Sequence, residues 1–471
     1  MATITLDPVT RLEGHLKIAV TVDALNNVTS AEVAGNLYRG FENMLVGRIP
    51  KDAAFLTQRV CGVCPVSHAI ASVKAVEKAL NFTPNLQAIL LRNLIQGSNF
   101  LASNILHFYH LALMDYIEGP AMSPWAPTYS QDLRFSASDS QSLLNNYLTA
   151  LKIRRNAQEM AAIFGGKLPH VTDIVPGGVT ALPTTTDINN FQSLFSQVQA
   201  FIVNVYQNDI SKLAGVYSDY YNIGQGYGNL MCFGVFDTST SGNPLFPSGV
   251  MTGGTITAFN PANIKEDVGS SWYASASGLA PASGVTTPSP DKANAYTWLK
   301  APRYNSLPYE AGPLARVWMS GDYRRGVSVM DRHMARYLET AKIANNIQIW
   351  ISQITAGASA YTNVATPASG SGVGLTEAPR GALGHWLTVA SSKISRYQII
   401  TPTCWNGSPK DDAGNFGPIE KALIGVHVAD PAKPVELLRV VHSFDPCTAC
   451  AVHVLSPEGE EMSKFIVEPG V

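Results

Sequence analysis

The chain has 471 residues, of which 46% are hydrophobic and only 14% charged, with a formal net charge of -2. Average globular chains carry roughly 25% charged residues, and this deficit excludes intrinsically disordered, coiled-coil and nucleic-acid-binding classes. It leaves two accounts of the surface: neutral and polar, or covered by a partner.

In chain order, residues 1–50 read as an N-terminal β region, with β-branched runs in Ile4–Val22 and turn residues at Ala24–Asn27. Residues 51–236 read as a helical core. Asp52–Leu80 is amphipathic in its second half, Pro84 stands at a first helical position, and helical spacing then continues without proline to Pro120. Ser140–Phe164 and Asp187–Tyr221 are two further long helices. Residues 237–300 are rich in Ser, Thr, Gly and Pro and read as a surface β and loop excursion. Residues 301–453 return to the helical core, with a helix over Ser328–Ile354, strand character over Trp386–Thr401, and a C-terminal metal-binding segment. Five helices of this length predict a mainly α, multihelical fold around a long central bundle, with the smaller β regions at the N-terminus, around 237–300 and around 386–401.

The N-terminus lacks the basic and apolar regions of a signal peptide. The run Leu86–Ile117 is broken by Arg92, Asn93, Gln96 and Asp115, so a clean membrane span of about 20 apolar residues is absent. No nucleic-acid partner and no direct membrane span are expected.

Four of the six cysteines form two C-x-x-C pairs, Cys61/Cys64 and Cys447/Cys450, each followed closely by a histidine, His68 and His453. Four thiolates make a soft site suited to zinc, iron or nickel. A structural zinc is the common reading of four cysteines, but zinc modules usually close a loop of roughly 15–20 residues, and here the pairs lie 386 residues apart. Cys232 and Cys404 are isolated, too few for an iron–sulfur cluster beside a four-thiolate site. Electrons from a redox centre here would leave through another chain.

The motifs carry a resemblance that runs nearly end to end. Arg11-Leu12-Glu13-Gly14-His15, Leu37–Glu42, Cys61–His68, Gly165–His170, Ala301–Tyr304, Glu377–Gly381, Pro402–Asn406 and Asp445–His453 occur in order. The chain resembles the large subunit of a nickel–iron hydrogenase. The resemblance implies dihydrogen as substrate and a nickel and an iron as cofactors, the iron carrying cyanide and carbon monoxide. Cys61 and Cys447 would bind nickel terminally, and Cys64 and Cys450 would bridge to iron. Glu13 resembles the proton-relay carboxylate; a lone glutamate would otherwise read as a cap or ion-pair partner. Arg380 would overhang the metals, oriented by Asp115 and Asp445. His68 would hydrogen-bond a bridging sulfur, and Pro379 and Thr403 would contact the iron's diatomic ligands. Glu42, the carbonyl of Ile399 and His453 resemble a magnesium site. Cys447 stands where some members carry selenocysteine.

The resemblance also implies an iron–sulfur small subunit as obligate partner, which brings the chain to the periplasmic side or the outer membrane face; the cytoplasm is the alternative. Eighteen residues follow His453, and in catalytic members a tail at this place is removed by a maturation endopeptidase after nickel chaperones have acted. Residues 1–453 are therefore expected as one unit, with 454–471 as a cleavable extension. A dihydrogen-sensing member, and a metal-free relative such as the quinone-site subunit of respiratory complex I, are the competing readings. The tail counts against the first and the four cysteines against the second.

Overall fold

The computed structural model describes residues 2–122, 125–126 and 131–448. Cys450, His453 and the 454–471 extension lie outside the described residues.

The N-terminal β region is an antiparallel sheet of β1 (Ala2–Leu6), β2 (Leu16–Val22) and β3 (Val28–Gly35) in that order. Alternate residues Leu16, Ile18, Val20 and Val22 are buried, the period expected of a half-covered strand. The β2–β3 reversal is set by Asp23, whose carboxylate accepts from the amides of Leu25 at 2.8 Å and Asn27 at 2.9 Å.

The stretch 52–80 is not one helix. Short helical turns over 50–60 stop at Cys61, and α1 (Pro65–Ala79) begins only after Cys64, with Pro65 at its first position. The first cysteine pair thus lies in the break. Helix α2 (Leu86–Leu106) is capped by Asn85, which accepts from the Ala88 amide at 2.9 Å, so Pro84 precedes the cap instead of opening the helix. It continues through a wide turn, His107–Ala112, and stops near Asp115.

Helix α3 (Ala137–Gly165) is capped by Ser136, and α4 (Thr185–Phe201) by a reciprocal Thr184/Asp187 box. Helix α4 passes through another wide turn into α5 (Gln207–Val216). Helix α6 (Val329–Ser352) starts on a Ser328/Asp331 box, and α7 (Val435–Phe444) ends at Asp445. Helix α2 runs between α3 and α6 at the centre of the largest apolar core.

Strand content exceeds the mainly helical expectation: the fold is mixed, 42% helix and 21% strand. The strand character around 386–401 belongs to a three-stranded antiparallel sheet of β4 (Gly370–Ala378), β5 (Gly381–Ala390) and β6 (Lys393–Ile400). β4 is glycine-rich, which hid it. Gly372 and Gly374 let helix α1 lie directly on the strand: a Cβ at either would stand 1.9 Å from the carbonyl oxygen of Ala75 or Ala71. Gly374→Ala is accordingly expected to destabilise the protein by about 3 kcal/mol, read as a fall in melting temperature; an unchanged melting temperature would refute the close-approach argument.

The 237–300 segment is not wholly a surface excursion. Its hairpins are short, and its end is built into the protein: the Trp298 amide donates to the Gly35 carbonyl at 3.0 Å, and Leu299 and Lys300 are buried.

Candidate metal centre

Cys61, Cys64 and Cys447 share one buried cluster with Ala71, Ala378 and Leu383. The sulfurs of Cys61 and Cys447 are 3.3 Å apart, and the Cys64 amide donates to the Cys61 sulfur at 3.2 Å. Cys64 is the residue before α1, so the positive end of that helix faces the cysteines and favours thiolate charge there. Arg39, in the second motif, donates to the carbonyls of Arg59 at 2.7 Å and Val60 at 2.6 Å, holding the chain that leads into Cys61.

The two ends of the chain close the site together. Glu13 and Cys447 form a parallel backbone bridge, and the Thr448 amide donates to the Glu13 carbonyl at 2.7 Å. The Cys447 amide donates to the hydroxyl of Thr403, on the short helix Pro402–Asn406, at 2.9 Å. Thr403 therefore seats the cysteine segment. The Glu13 carboxylate lies against Gly62 of the first pair, 3.7 Å from where a side chain there would begin. Burial pushes the Glu13 carboxyl above its ordinary value and the Cys61 sulfur adds to this, while Arg380 and Arg39 pull it back.

β4 and β5 are joined by the two residues Pro379 and Arg380, since Ala378 pairs with Gly381. The hairpin tip thus carries both expected residues. Arg380 is 2% exposed, and its guanidinium is 2.9 Å from the Asp445 carboxylate. Burial works against its charge, but Asp445 and then the sulfurs of Cys447, Cys61 and Cys64 raise its pKa further. Asp445 takes the left-handed conformation (φ 55°), costly for a non-glycine residue. Its ion pairs with Arg380 and, at 3.2 Å, Arg336 hold it there.

Asp115 does not orient Arg380. Its carboxylate pairs with Arg11 and, at 2.6 Å, with Nδ1 of His442. Burial opposes its charge, yet Arg11 and His442 hold its carboxyl well below the usual range. The α2 side chain that reaches Arg380 is Ser103, at 3.5 Å. Asp115 instead ties the first motif to α7.

His68 is fully buried on α1, and burial lowers its pKa to about 4, so it is neutral. Its Nδ1 lies 3.2 Å from Nε2 of His385, whose Nδ1 is 2.8 Å from the Tyr397 hydroxyl. His68 Nε2 is buried without a hydrogen-bond partner among the described residues.

Glu42 lies elsewhere, against β6. It accepts from the Ile399 amide at 2.9 Å and meets the Thr286 hydroxyl. Lys300, which sequence reasoning missed, sits 3.9 Å from Glu42, 3.5 Å from Glu266 and 3.0 Å from the side-chain amide oxygen of Gln398. Nothing local marks Lys300; only the packing of the 237–300 segment brings it there. Ser103, Arg336 and His385 were missed for the same reason. Cys232 and Cys404 stand apart from the cluster, and burial raises both thiols.

A large part of the chain matches the family described as nickel-dependent hydrogenase, over residues 39–141, 117–327 and 319–453. The chain belongs to the nickel-dependent hydrogenases. It is 41% identical to the periplasmic [NiFeSe] hydrogenase large subunit of Desulfomicrobium baculatum, over 97% of this chain and 96% of that one. It is 32% identical to the uptake hydrogenase large subunit of Bradyrhizobium diazoefficiens, over 98% and 97%. The Ni-Fe-Se hydrogenase structure from D. vulgaris Hildenborough superposes with a TM-score of 0.93 at 41% identity, covering 96% of this chain and all of that one.

This hydrogenase chain is an oxidoreductase large subunit acting on dihydrogen. Two relatives are named for selenium, but residue 447 here is an ordinary cysteine. Among the described residues no group of three metal-ligating side chains is fully assembled, and the fourth cysteine lies outside them. The donor chemistry nevertheless fits a soft metal pair: buried thiols, two of them with their sulfurs in contact, and on the helix that follows Cys64 a histidine nitrogen with no hydrogen-bond partner among the described residues. No helix among the described residues is long and apolar enough to cross a membrane.

Proposed function

We propose that Cys61 and Cys447 hold nickel terminally, that Cys64 and Cys450 bridge it to an iron carrying cyanide and carbon monoxide, and that this centre splits dihydrogen reversibly. The observation that carries the reading is the contact between Cys61 and Cys447 across the whole length of the chain, closed by the Glu13–Cys447 bridge. When bound, the metal pair polarises dihydrogen and accepts its two electrons. The remaining work belongs to the chain. Glu13 takes the two protons away one after the other: it lies beside Gly62, and its burial lets the carboxyl hold a proton closer to neutral pH than an exposed one would. Arg380, held by Asp445, presents a fixed positive charge to the sulfurs and stays protonated. Pro379 and Thr403 form apolar and hydroxyl walls for the iron's small ligands. The orphaned Nε2 of His68 is the atom we assign to hydrogen-bond a bridging sulfur, with His385 fixing the ring through Nδ1.

The electrons leave through an iron–sulfur small subunit. Met44, Val46, Ile49 and Phe55, exposed on the segment between Glu42 and Cys61, supply the apolar face that such a partner covers. Through it the complex works on the periplasmic side. Magnesium is assigned to Glu42, the Ile399 carbonyl and His453; Glu42 and Glu266 are hard oxygen donors, and Lys300 balances their charge. Residues 454–471 are removed by an endopeptidase after nickel insertion by chaperones, so that the C-terminal motif closes over the metals.

The matured heterodimer is expected to contain nickel and iron in equal amounts at this site, with infrared bands from cyanide and carbon monoxide. Zinc in their place, with no such bands, would overturn the assignment.

A further inference from the structure

Arg316 lies on the short helix Pro313–Met319 and belongs to none of the groups assigned above. All five of its N–H donors are used. Nε donates to Glu339, and Nη2 to the other oxygen of that carboxylate at 3.0 Å. Nη1 donates to the Glu377 carboxylate at 2.6 Å and to the Ala378 carbonyl at 3.0 Å; Nη2 donates to the Pro379 carbonyl at 2.7 Å. Arg316, Glu339 and Glu377 are each 0% exposed. The two carboxylates are themselves fixed, Glu339 by the Asn104 amide at 3.0 Å and Glu377 by the Phe233 amide at 2.7 Å.

A buried arginine with two carboxylates is a poor device for stability alone, because desolvation cancels most of its attraction and apolar side chains often do as well. What it supplies is geometry. The guanidinium is planar, and here one edge is locked onto Glu339 while the other grips two successive carbonyls. Those carbonyls belong to the residues immediately before Arg380. Their peptide planes decide where a two-residue hairpin tip points.

We propose that Arg316 is a positioning residue for the reaction: it fixes the Ala378 and Pro379 peptides and so aims the Pro379 ring and the Arg380 guanidinium at the cysteine cluster. This rests on the site assigned above.

The test uses the matured heterodimer carrying Arg316→Lys, in which one ammonium cannot hold both carbonyls and both carboxylates. Nickel and iron are expected to be retained and the cyanide and carbon monoxide bands to be displaced. The kcat is expected to fall by about a hundredfold, the loss that a misplaced group of about 1 Å brings, with the KM for dihydrogen nearly unchanged. Because Arg316 acts through Arg380, adding Arg316→Lys to Arg380→Lys should lower kcat by less than about threefold more. A metal-loaded Arg316→Lys enzyme with unmoved bands and unchanged kcat would overturn the proposal, as would full multiplicative losses in the double variant. If Arg316→Lys does not accumulate, Glu377→Gln decides: it keeps the size and the Phe233 contact but weakens the grip, and displaced bands support the proposal while unmoved bands and kcat overturn it. Missing bands in the unmodified complex would strike at the metal assignment instead, and the kcat cycle alone would then judge Arg316.

Discussion

Cys61→Ser is expected to abolish dihydrogen oxidation and to leave the purified complex without nickel. The Cys61 sulfur touches that of Cys447 and receives the Cys64 amide, so it joins both halves of the site. A serine oxygen is hard, stays protonated at neutral pH and is shorter, which removes a soft anionic ligand from the middle of the set. Metal analysis and dye-linked dihydrogen oxidation read the outcome. The same variant should keep its C-terminal extension, visible by intact mass, because the endopeptidase acts only after nickel insertion and closure follows the cleavage. Retention of nickel with normal processing would refute both the terminal-ligand role and the closure argument.

Glu13→Gln is expected to do the opposite: to spare the metals and stop the turnover. The amide has the same size, and the bridge from residue 13 to Cys447 is made by the backbone, so the substitution leaves it in place. What is lost is a carboxyl that can take and release a proton, a contribution of about 10²–10⁴-fold in rate. The infrared bands should stay near their normal positions while kcat falls by that factor. Exchange of dihydrogen with solvent deuterons should slow by the same factor, because it needs the proton to leave the site. Loss of nickel in Glu13→Gln would show that the side chain holds the site together and does not relay protons.

Several parts of this architecture were legible because local chemistry writes them locally. The turn at Ala24–Asn27, the long helices α2, α3 and α6, and the two cysteine pairs are all visible as short-range patterns. The glycine-rich strand β4 was not, since Gly372 and Gly374 contribute no apolar alternation and exist to admit helix α1. Nor was the break at Cys61–Cys64, because Arg39, some twenty residues upstream, holds the chain that leads into Cys61. Asp115 shows the same limit from the other side. The resemblance paired Asp115 with Arg380, but Arg11 and His442 are the groups that meet its carboxylate in space. Only the tertiary packing decided that Arg11 and His442 meet Asp115 and that Ser103 meets Arg380.

The low charge content shows where that boundary lies. By itself the sequence determined how few charged side chains there are, and which four cysteines could share a metal. Only the tertiary structure decided where those charges go. Many are inside: Arg316 with Glu339 and Glu377, Arg303 with Asp411, Arg332 with Glu310, Arg92 with Glu77, and Arg336 and Arg380 with Asp445. The surface is therefore poorer in charge than composition indicates. The physical reason is that a buried charge needs a partner within a few ångströms, and partners far apart in the chain are chosen by packing, which no local pattern encodes.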